Sequence, residues 1–467
     1  MQGKKIQQER LFINFQLSEY VPADNFYRQL SQILDLRFLY KSTADYYGSE
    51  GQKSIDPVVF MKLMLVGYLE NLTSDRRIIR TCRMRMDILF FLGYDLDEEF
   101  PWHSTLSRTR KLYGEDQFIA LFKQVLKLCI DHGLISGKRQ AVDSALVRAN
   151  ASMSKMIEKQ VMADASIYSQ ELSDNVGEEI AEQRKQIPGV NKSKTKRTPT
   201  SNKSHYSPSD PDARITMKPG KPMNLYYRSQ VSVDTGSHLI TYIGAFPGNA
   251  ADNVSLPIIL ESIVENMQEH NIQVEEILAD TGYSSGEAMR SLADHRIEGY
   301  IPNIASYKKD RLEEGFIYDL ENDRYTCKNG VHATFRYQEK LTKNKKLQRK
   351  IYRTSPEDCM NCPIKSMCVN FQGSRRIKHS LDKPLYDQMH KRMTSDKAKL
   401  FKKLRSSTVE PVIGSLINYT GMSRINAKGI KQANKCMIMA AIAYNLKKLL
   451  KYKNELLSKE AKLSKAA

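Results

Sequence analysis

The stretch from Leu225 to Pro302 constrains the fold more than any other, because its apolar residues change period in a set order. Leu225–Asp234 and His238–Ala245 read as two strands joined by the turn Asp234-Thr235-Gly236-Ser237. Residues from Asn253 to about Glu269 recur with a helical period, and Glu275–Asp280 reads as a buried strand ending in an acid. Thr281–Ser285 then turns into a helix reaching Leu292, and Gly299–Pro302 is a further short strand. A mixed sheet flanked by helices accommodates this order. Upstream, Gly137–Val147 is a short, partly apolar run that carries Asp143 and opens into Ala149-Asn150-Ala151-Ser152. It predicts another strand, with Asp143 at its end. A carboxylate there has a rigid backbone and an opening beside it, so it can be aimed at a ligand. Setting this strand beside the one ending in Asp280 would bring both acids to one edge. Taken alone, Asp143 also reads as an ordinary solvated aspartate at a strand end.

Charge narrows the partners. Lys plus Arg number 72 against 53 Asp plus Glu, a formal net charge of +19. That surplus attracts polyanions, with nucleic acid as the first reading and a membrane surface as the alternative. No apolar run is long enough for a spanning helix, so no membrane insertion is expected. Met1–Arg10 has no apolar signal core, which places the expected compartment in the cytoplasm. Seven cysteines make an odd number for a secreted disulfide framework, and four of them are spaced as metal ligands are.

Residues 1–132 read as an all-helical N-terminal domain. Asp24 is a candidate cap for a helix carrying Phe26, Leu30, Ile33 and Leu34, and Asp56-Pro57 opens another. A basic helix is expected from Ser74 to Arg85, and Ser104 is a candidate cap for Thr105–Lys111, which carries Arg108 and Arg110. Short helices with a basic one after a turn suit a helix-turn-helix-like DNA module, and they suit equally a helical bundle with a solvated basic face. Residues 133–302 are expected to form the first part of the mixed-sheet core. Within them, 153–222 contain a charged helix and a basic linker whose Lys194, Lys196 and Arg197 either engage phosphates or are simply solvated. Residues 303–385 alternate strand-like and basic pieces and predict an inserted β-rich subdomain. There Cys359-x2-Cys362-x5-Cys368, with Cys327 upstream, reads either as a structural Zn²⁺ site of four thiolates or as free or redox-paired cysteines. Residues 386–467 supply a further acid, Glu410, between apolar Val409 and Val412, and an amphipathic helix from Met437 to Leu450 expected to pack on the core. Carboxylates gathered in one place need counter-charge, and Mg²⁺ supplies it while preferring oxygen ligands.

Three pieces carry a resemblance: Val142-Asp143-Ser144 with Ala149–Ser152, Ala279-Asp280-Thr281-Gly282-Tyr283, and Thr408-Val409-Glu410-Pro411-Val412-Ile413-Gly414. Together with Asp56-Pro57 and Pro101–Arg108 in the helical part, they make the chain similar to the DDE transposases of bacterial insertion sequences. The resemblance implies an α/β, ribonuclease-H-like mixed sheet flanked by helices. It implies that Asp143, Asp280 and Glu410 bind Mg²⁺ or Mn²⁺ as the catalytic triad. It further implies double-stranded DNA as partner, as terminal inverted repeats and as target, with cleavage at the element ends and strand transfer by a nucleoid-associated homodimer. Arg405 falls where such families place an arginine on the terminal phosphates. A tyrosine upstream of it and a lysine after the glutamate are replaced by Lys402 and Ile417, and the neighbouring Lys403 is a substitute contact. These departures leave open a DNA-binding regulatory protein with a decayed core, and a nuclease of the same fold.

Overall fold

A computed structural model describes residues 15–48, 50, 54–159, 200–303, 315–339, 349–363, 365–368 and 373–466. The principal N-terminal helices are α1 (Phe26–Ile33), α2 (Pro57–Leu69), α3 (Asp75–Arg83), α4 (Met86–Leu92), α5 (His103–Leu112) and α6 (Glu115–Asp131). Asp56 caps α2 as expected, its Oδ1 accepting from the amides of Val58 at 2.7 Å and Val59 at 3.0 Å. Two caps differ from expectation. Asn25, not Asp24, accepts from the amide of Tyr27 at 2.8 Å. α5 begins at His103, so Ser104 lies inside the helix and Trp102 precedes it without a side-chain cap.

The central sheet contains β1 (Arg139–Arg148), β2 (Arg214–Lys218), β3 (Lys221–Asp234), β4 (Ile240–Pro247), β5 (Glu276–Leu278) and β6 (Glu298–Tyr300). β1 lies between β3, antiparallel to it, and β5, parallel to it; β4 pairs with β3 and β6 with β5. Leaving aside the extra arm β2, the order is third, second, first, fourth, fifth. The first three strands are antiparallel and the last two run parallel to the first. This is the ribonuclease-H-like arrangement. Helices α7 (Asp252–Gln268) and α8 (Gly286–Asp294) make the crossovers that parallel strands require. The hairpin between β3 and β4 turns on Asp234, whose carboxylate accepts from the amides of Gly236 at 3.1 Å and Ser237 at 2.9 Å.

After β6 comes the insertion, a five-stranded antiparallel meander: β7 (Phe316–Asp319), β8 (Arg324–Cys327), β9 (His332–Gln338), β10 (Arg349–Thr354) and β11 (Arg376–Ser380). The chain returns to the core through α9 (Lys383–Met393), α10 (Asp396–Tyr419) and α11 (Ile430–Ala466). α10 lies across β1 and β3, while α11 runs over β4 and reaches α2 and α6. Phe60 of α2, Val125 of α6, Val142 of β1, Ile259 of α7, Val412 of α10 and Ile442 of α11 belong to one continuous apolar core. The chain boundary near residue 132 is therefore no gap in packing. The charged helix and basic linker expected within 153–222 fall largely outside the described residues. No helix among the described residues is long and apolar enough to cross a membrane.

Candidate active site

β5 pairs only with Arg139–Ala141 of β1, and the register ends at Ala141 opposite Leu278. Carrying that register two residues further sets Asp143 level with Asp280. Asp143 is not at the end of its own strand, because Ser144–Arg148 go on pairing with β3. The strand that ends is β5. Its end opens a notch beside Asp143 on the parallel side, and the sequence reading had assigned that opening to β1. Successive side chains alternate faces. Asp143 therefore faces α10, while Ser144 faces the N-terminus of α7.

α10 carries Glu410. Val409 and Val412 are buried, which fixes the helix and leaves Glu410 exposed at its rim. Arg405 of the same helix stands between the acids. Its Nη1 donates to Asp143 Oδ2 at 2.7 Å, and its Nη2 lies 3.7 Å from Glu410 Oε1. Asp143 Oδ1 accepts from the Ser144 amide at 2.7 Å. Asp280 Oδ1 accepts from the Gly282 amide at 2.9 Å, and Asp280, Lys402 and Arg405 line one cleft with Thr281 and Pro302. Burial pushes the Asp143 carboxyl above the usual range; nearby Asp280 adds to this, while the Ser144 amide and the Arg405 guanidinium oppose it. One guanidinium thus bridges Asp143 and Glu410, while Asp280 and Lys402 line the same cleft. Among the described residues no three His, Cys, Asp or Glu side chains are grouped as metal ligands. At this site Arg405 holds the position between two of the three acids. The donor set, all carboxylate oxygens, fits a hard divalent cation.

A layer behind the acids was missed by sequence reasoning. Arg228 Nη1 donates to both oxygens of Asp252, at 3.0 and 2.9 Å, and to Ser144 Oγ at 3.1 Å. Gln230 Nε2 donates to Asp252 Oδ1 at 2.8 Å, and the Tyr283 hydroxyl donates to Gln230 Oε1. Two polar residues on one face of the apolar strand Leu225–Asp234 were the available signal. Gly282 completes the layer. A Cβ there would stand 3.0 Å from Asp280 Oδ1 and 3.5 Å from Asp252 Oδ2, so a side chain would crowd both carboxylates.

The residues expected on DNA divide. Lys403 is exposed on α10 and Arg108 is exposed on α5. Arg110 is turned inward, its guanidinium 2.5 Å from Asp75 and only 13% exposed, so it ties α5 to α3 instead of facing a phosphate. Residues two apart on a helix do not share a face, which separates Arg110 from Arg108. Arg405 is spent on Asp143 and Glu410. Lys194, Lys196 and Arg197 lie outside the described residues. In the insertion, Cys327, Cys359, Cys362 and Cys368 are free thiols lining one cavity. Asn329 links two of them, its amide donating to Cys327 Sγ at 3.3 Å and its Nδ2 to Cys362 Sγ at 3.2 Å. Cys82, Cys129 and Cys436 are buried core residues, as expected.

Residues 15–112 match a family described as a transposase domain (DUF772), and residues 326–450 match one described as a transposase DDE domain. No curated protein matches the chain. Among solved structures it is similar to a Mos1 transposase paired-end complex with left transposon end, at 11% identity over 61% of this chain and 73% of that one, with a TM-score of 0.17. A Mos1 mariner paired-end complex with Mn gives 9% identity over 60% and 73%, with a TM-score of 0.16. A piggyBac transposase synaptic complex with hairpin DNA gives 10% identity over 93% and 80%, with a TM-score of 0.24. Overall superposition this low carries no weight, so the assignment rests on the two family matches, with the strand order agreeing. The matched DDE domain, which begins after the central sheet and takes in Glu410, indicates an enzyme acting on DNA with divalent-metal chemistry. Joined to the N-terminal match, it supports a DDE-type transposase of insertion sequences.

Proposed function

We propose that Asp143, Asp280 and Glu410 hold divalent metal ions, Mg²⁺ in the cell, and that the enzyme cleaves the ends of its element and joins them to target DNA. The observation that carries this is the register of β1 and β5, which carried two residues past its end brings Asp143 level with Asp280, with Glu410 one guanidinium from Asp143. Bound there, such ions supply an activated water or 3′-hydroxyl and stabilise the leaving oxygen of a phosphodiester. The chain's own residues hold that chemistry in place. Arg228, through Ser144 and Asp252, braces β1 against α7, and the Gly282 amide orients Asp280. Arg405 has to leave Asp143 for that carboxylate to take a metal, and a DNA phosphate is the natural acceptor for the released guanidinium. Double-stranded DNA, as terminal repeats and as target, is the substrate. Joining two ends calls for two active sites, hence a homodimer, working in the cytoplasm at the nucleoid.

We propose further that Cys327, Cys359, Cys362 and Cys368 hold a structural Zn²⁺. Their shared cavity and the Asn329 bonds to two of the sulfurs support this. So does the small apolar core of the insertion, built on Phe316, Tyr325, Ala333, Tyr352 and Ile377. A core of that size ordinarily needs a staple.

An assay on DNA carrying the element ends, with Mg²⁺ against EDTA, tests the main reading. Cleaved and joined products that require metal are expected. Binding without cleavage would replace it with a regulatory DNA-binding role, and cleavage without joined products with a nuclease.

A further inference from the structure

The chain's only tryptophan, Trp102, is 71% exposed at the start of α5. Its ring lies against His103, with centroids 5.1 Å apart and planes at 32°. Arg76 of α3 donates from Nε to His103 Nε2 at 3.2 Å, so the aromatic pair is anchored to the basic helix. Arg77, Arg80 and Arg83 of α3 and Arg108 of α5 are exposed, and among the described residues none of these four is in an ion pair. Arg108 bonds a neutral group, Ser104 Oγ, at 3.0 Å. Exposed Asp95, Asp97, Glu98 and Glu99 precede Trp102 in the chain and repel phosphate, which leaves the arginine side as the approach for a polyanion. An indole held in water at a helix start tied to a basic helix, with exposed guanidinium groups on both helices, matches a nucleic-acid strand on both counts. The guanidiniums take backbone phosphates, and a flat aromatic face takes a base.

We propose that Trp102 stacks on a nucleobase presented by the bound DNA at an unpaired or distorted step, while Arg80, Arg83 and Arg108 hold the flanking phosphates. This rests on the reading of the chain as a DNA-end enzyme and adds a contact that reads base accessibility. Because the tryptophan is single, its emission reports this position alone. The full chain is titrated with a synthetic duplex containing one unpaired thymine, and with the same duplex fully paired. Quenched emission and reduced acrylamide access are expected, more strongly with the unpaired base. Trp102→Ala is expected to weaken binding of the unpaired-base duplex about tenfold, the lower part of the range for one stacked base. Trp102→Phe should keep most of that affinity. Arg80→Ala and Arg83→Ala should weaken both duplexes and flatten the salt dependence. An unchanged melting curve for Trp102→Ala separates lost contact from lost fold. Unaltered emission at saturating DNA, with equal affinity for wild type and Trp102→Ala, overturns the proposal and leaves the transposase reading standing. A wild-type chain that binds neither duplex removes both.

Discussion

The two larger sheets among the described residues are stabilised in different ways. The central sheet lies inside a continuous apolar core that also takes in the N-terminal helices and α11. The inserted meander buries few apolar residues and depends on polar links instead. Tyr325 Oη and Tyr352 Oη lie 2.8 and 3.1 Å from the two ring nitrogens of His379. Asp323 accepts from Tyr318 at 2.6 Å, Tyr352 at 2.6 Å and Lys350 at 3.1 Å. Apolar burial is indifferent to pH and to chelators, whereas hydrogen-bonded ionisable groups and thiols are not. The first sheet can therefore carry a cluster of carboxylates at its edge, and the second should be the part that fails separately.

The largest effect that would break this contrast concerns the carboxylates. Asp143→Ala, Asp280→Ala and Glu410→Ala should each lower end cleavage by roughly a thousandfold or more if each holds metal as proposed. Gel-shift affinity for DNA and the melting temperature should stay near wild type. Full cleavage by any one variant removes that residue from the triad.

Next comes the joint variant Cys359→Ser/Cys362→Ser. Bound zinc, measured by elemental analysis, should disappear. Proteolysis should then open residues 303–385 while the central sheet keeps its amide protection. Equal protection of both sheets in wild type and variant would mean that the thiols hold nothing.

A smaller change is expected for Arg405→Ala. With the competing guanidinium gone, Mn²⁺ binding to the DNA-free protein, followed by electron paramagnetic resonance, should tighten by about tenfold, within the usual range of site coupling. Weaker binding would show that Arg405 organises Asp143 and does not compete with the metal.

The mildest test is pH. Burial holds His379 down to about 4 from its ordinary 6.5. Its neutral form is favoured by the fold, so its contribution is complete above pH 6.5 and is lost as pH falls toward 4. Hydrogen exchange at pH 7 and pH 4.5 should show the meander loosening while the central sheet does not. His379→Gln should flatten that dependence.

Much of the central sheet was legible, because strand and helix periods separate cleanly between Leu225 and Pro302 and acids interrupt apolar runs at Asp280 and Glu410. Asp143 was found for its type but misplaced along its strand. Where a strand ends depends on how far its neighbour pairs, and that neighbour lies far along the chain. Arg110 illustrates another limit. A basic residue on a basic helix reads as solvated until the carboxylate across the helix pair, here Asp75, is in view. The bracing set of Arg228, Gln230, Asp252 and Tyr283 could be assembled only once β3, α7 and the turn after β5 were side by side.

α11 has a consequence for the order in which the molecule can form. Lys435 donates to the carbonyls of Arg110 and Tyr113, and Asn445 holds both the amide and the carbonyl of Ile240 at 2.9 Å. The segment that completes the packing of the earliest helices and of β4 is thus made after nearly everything it supports. A nascent chain leaving the ribosome carries an unfinished core in both halves until this helix emerges. Long-range closure of that kind is slow and leaves apolar surface open meanwhile. Synthesis halted before residue 430 would therefore yield no half-enzyme able to occupy DNA ends, only material for proteases and chaperones.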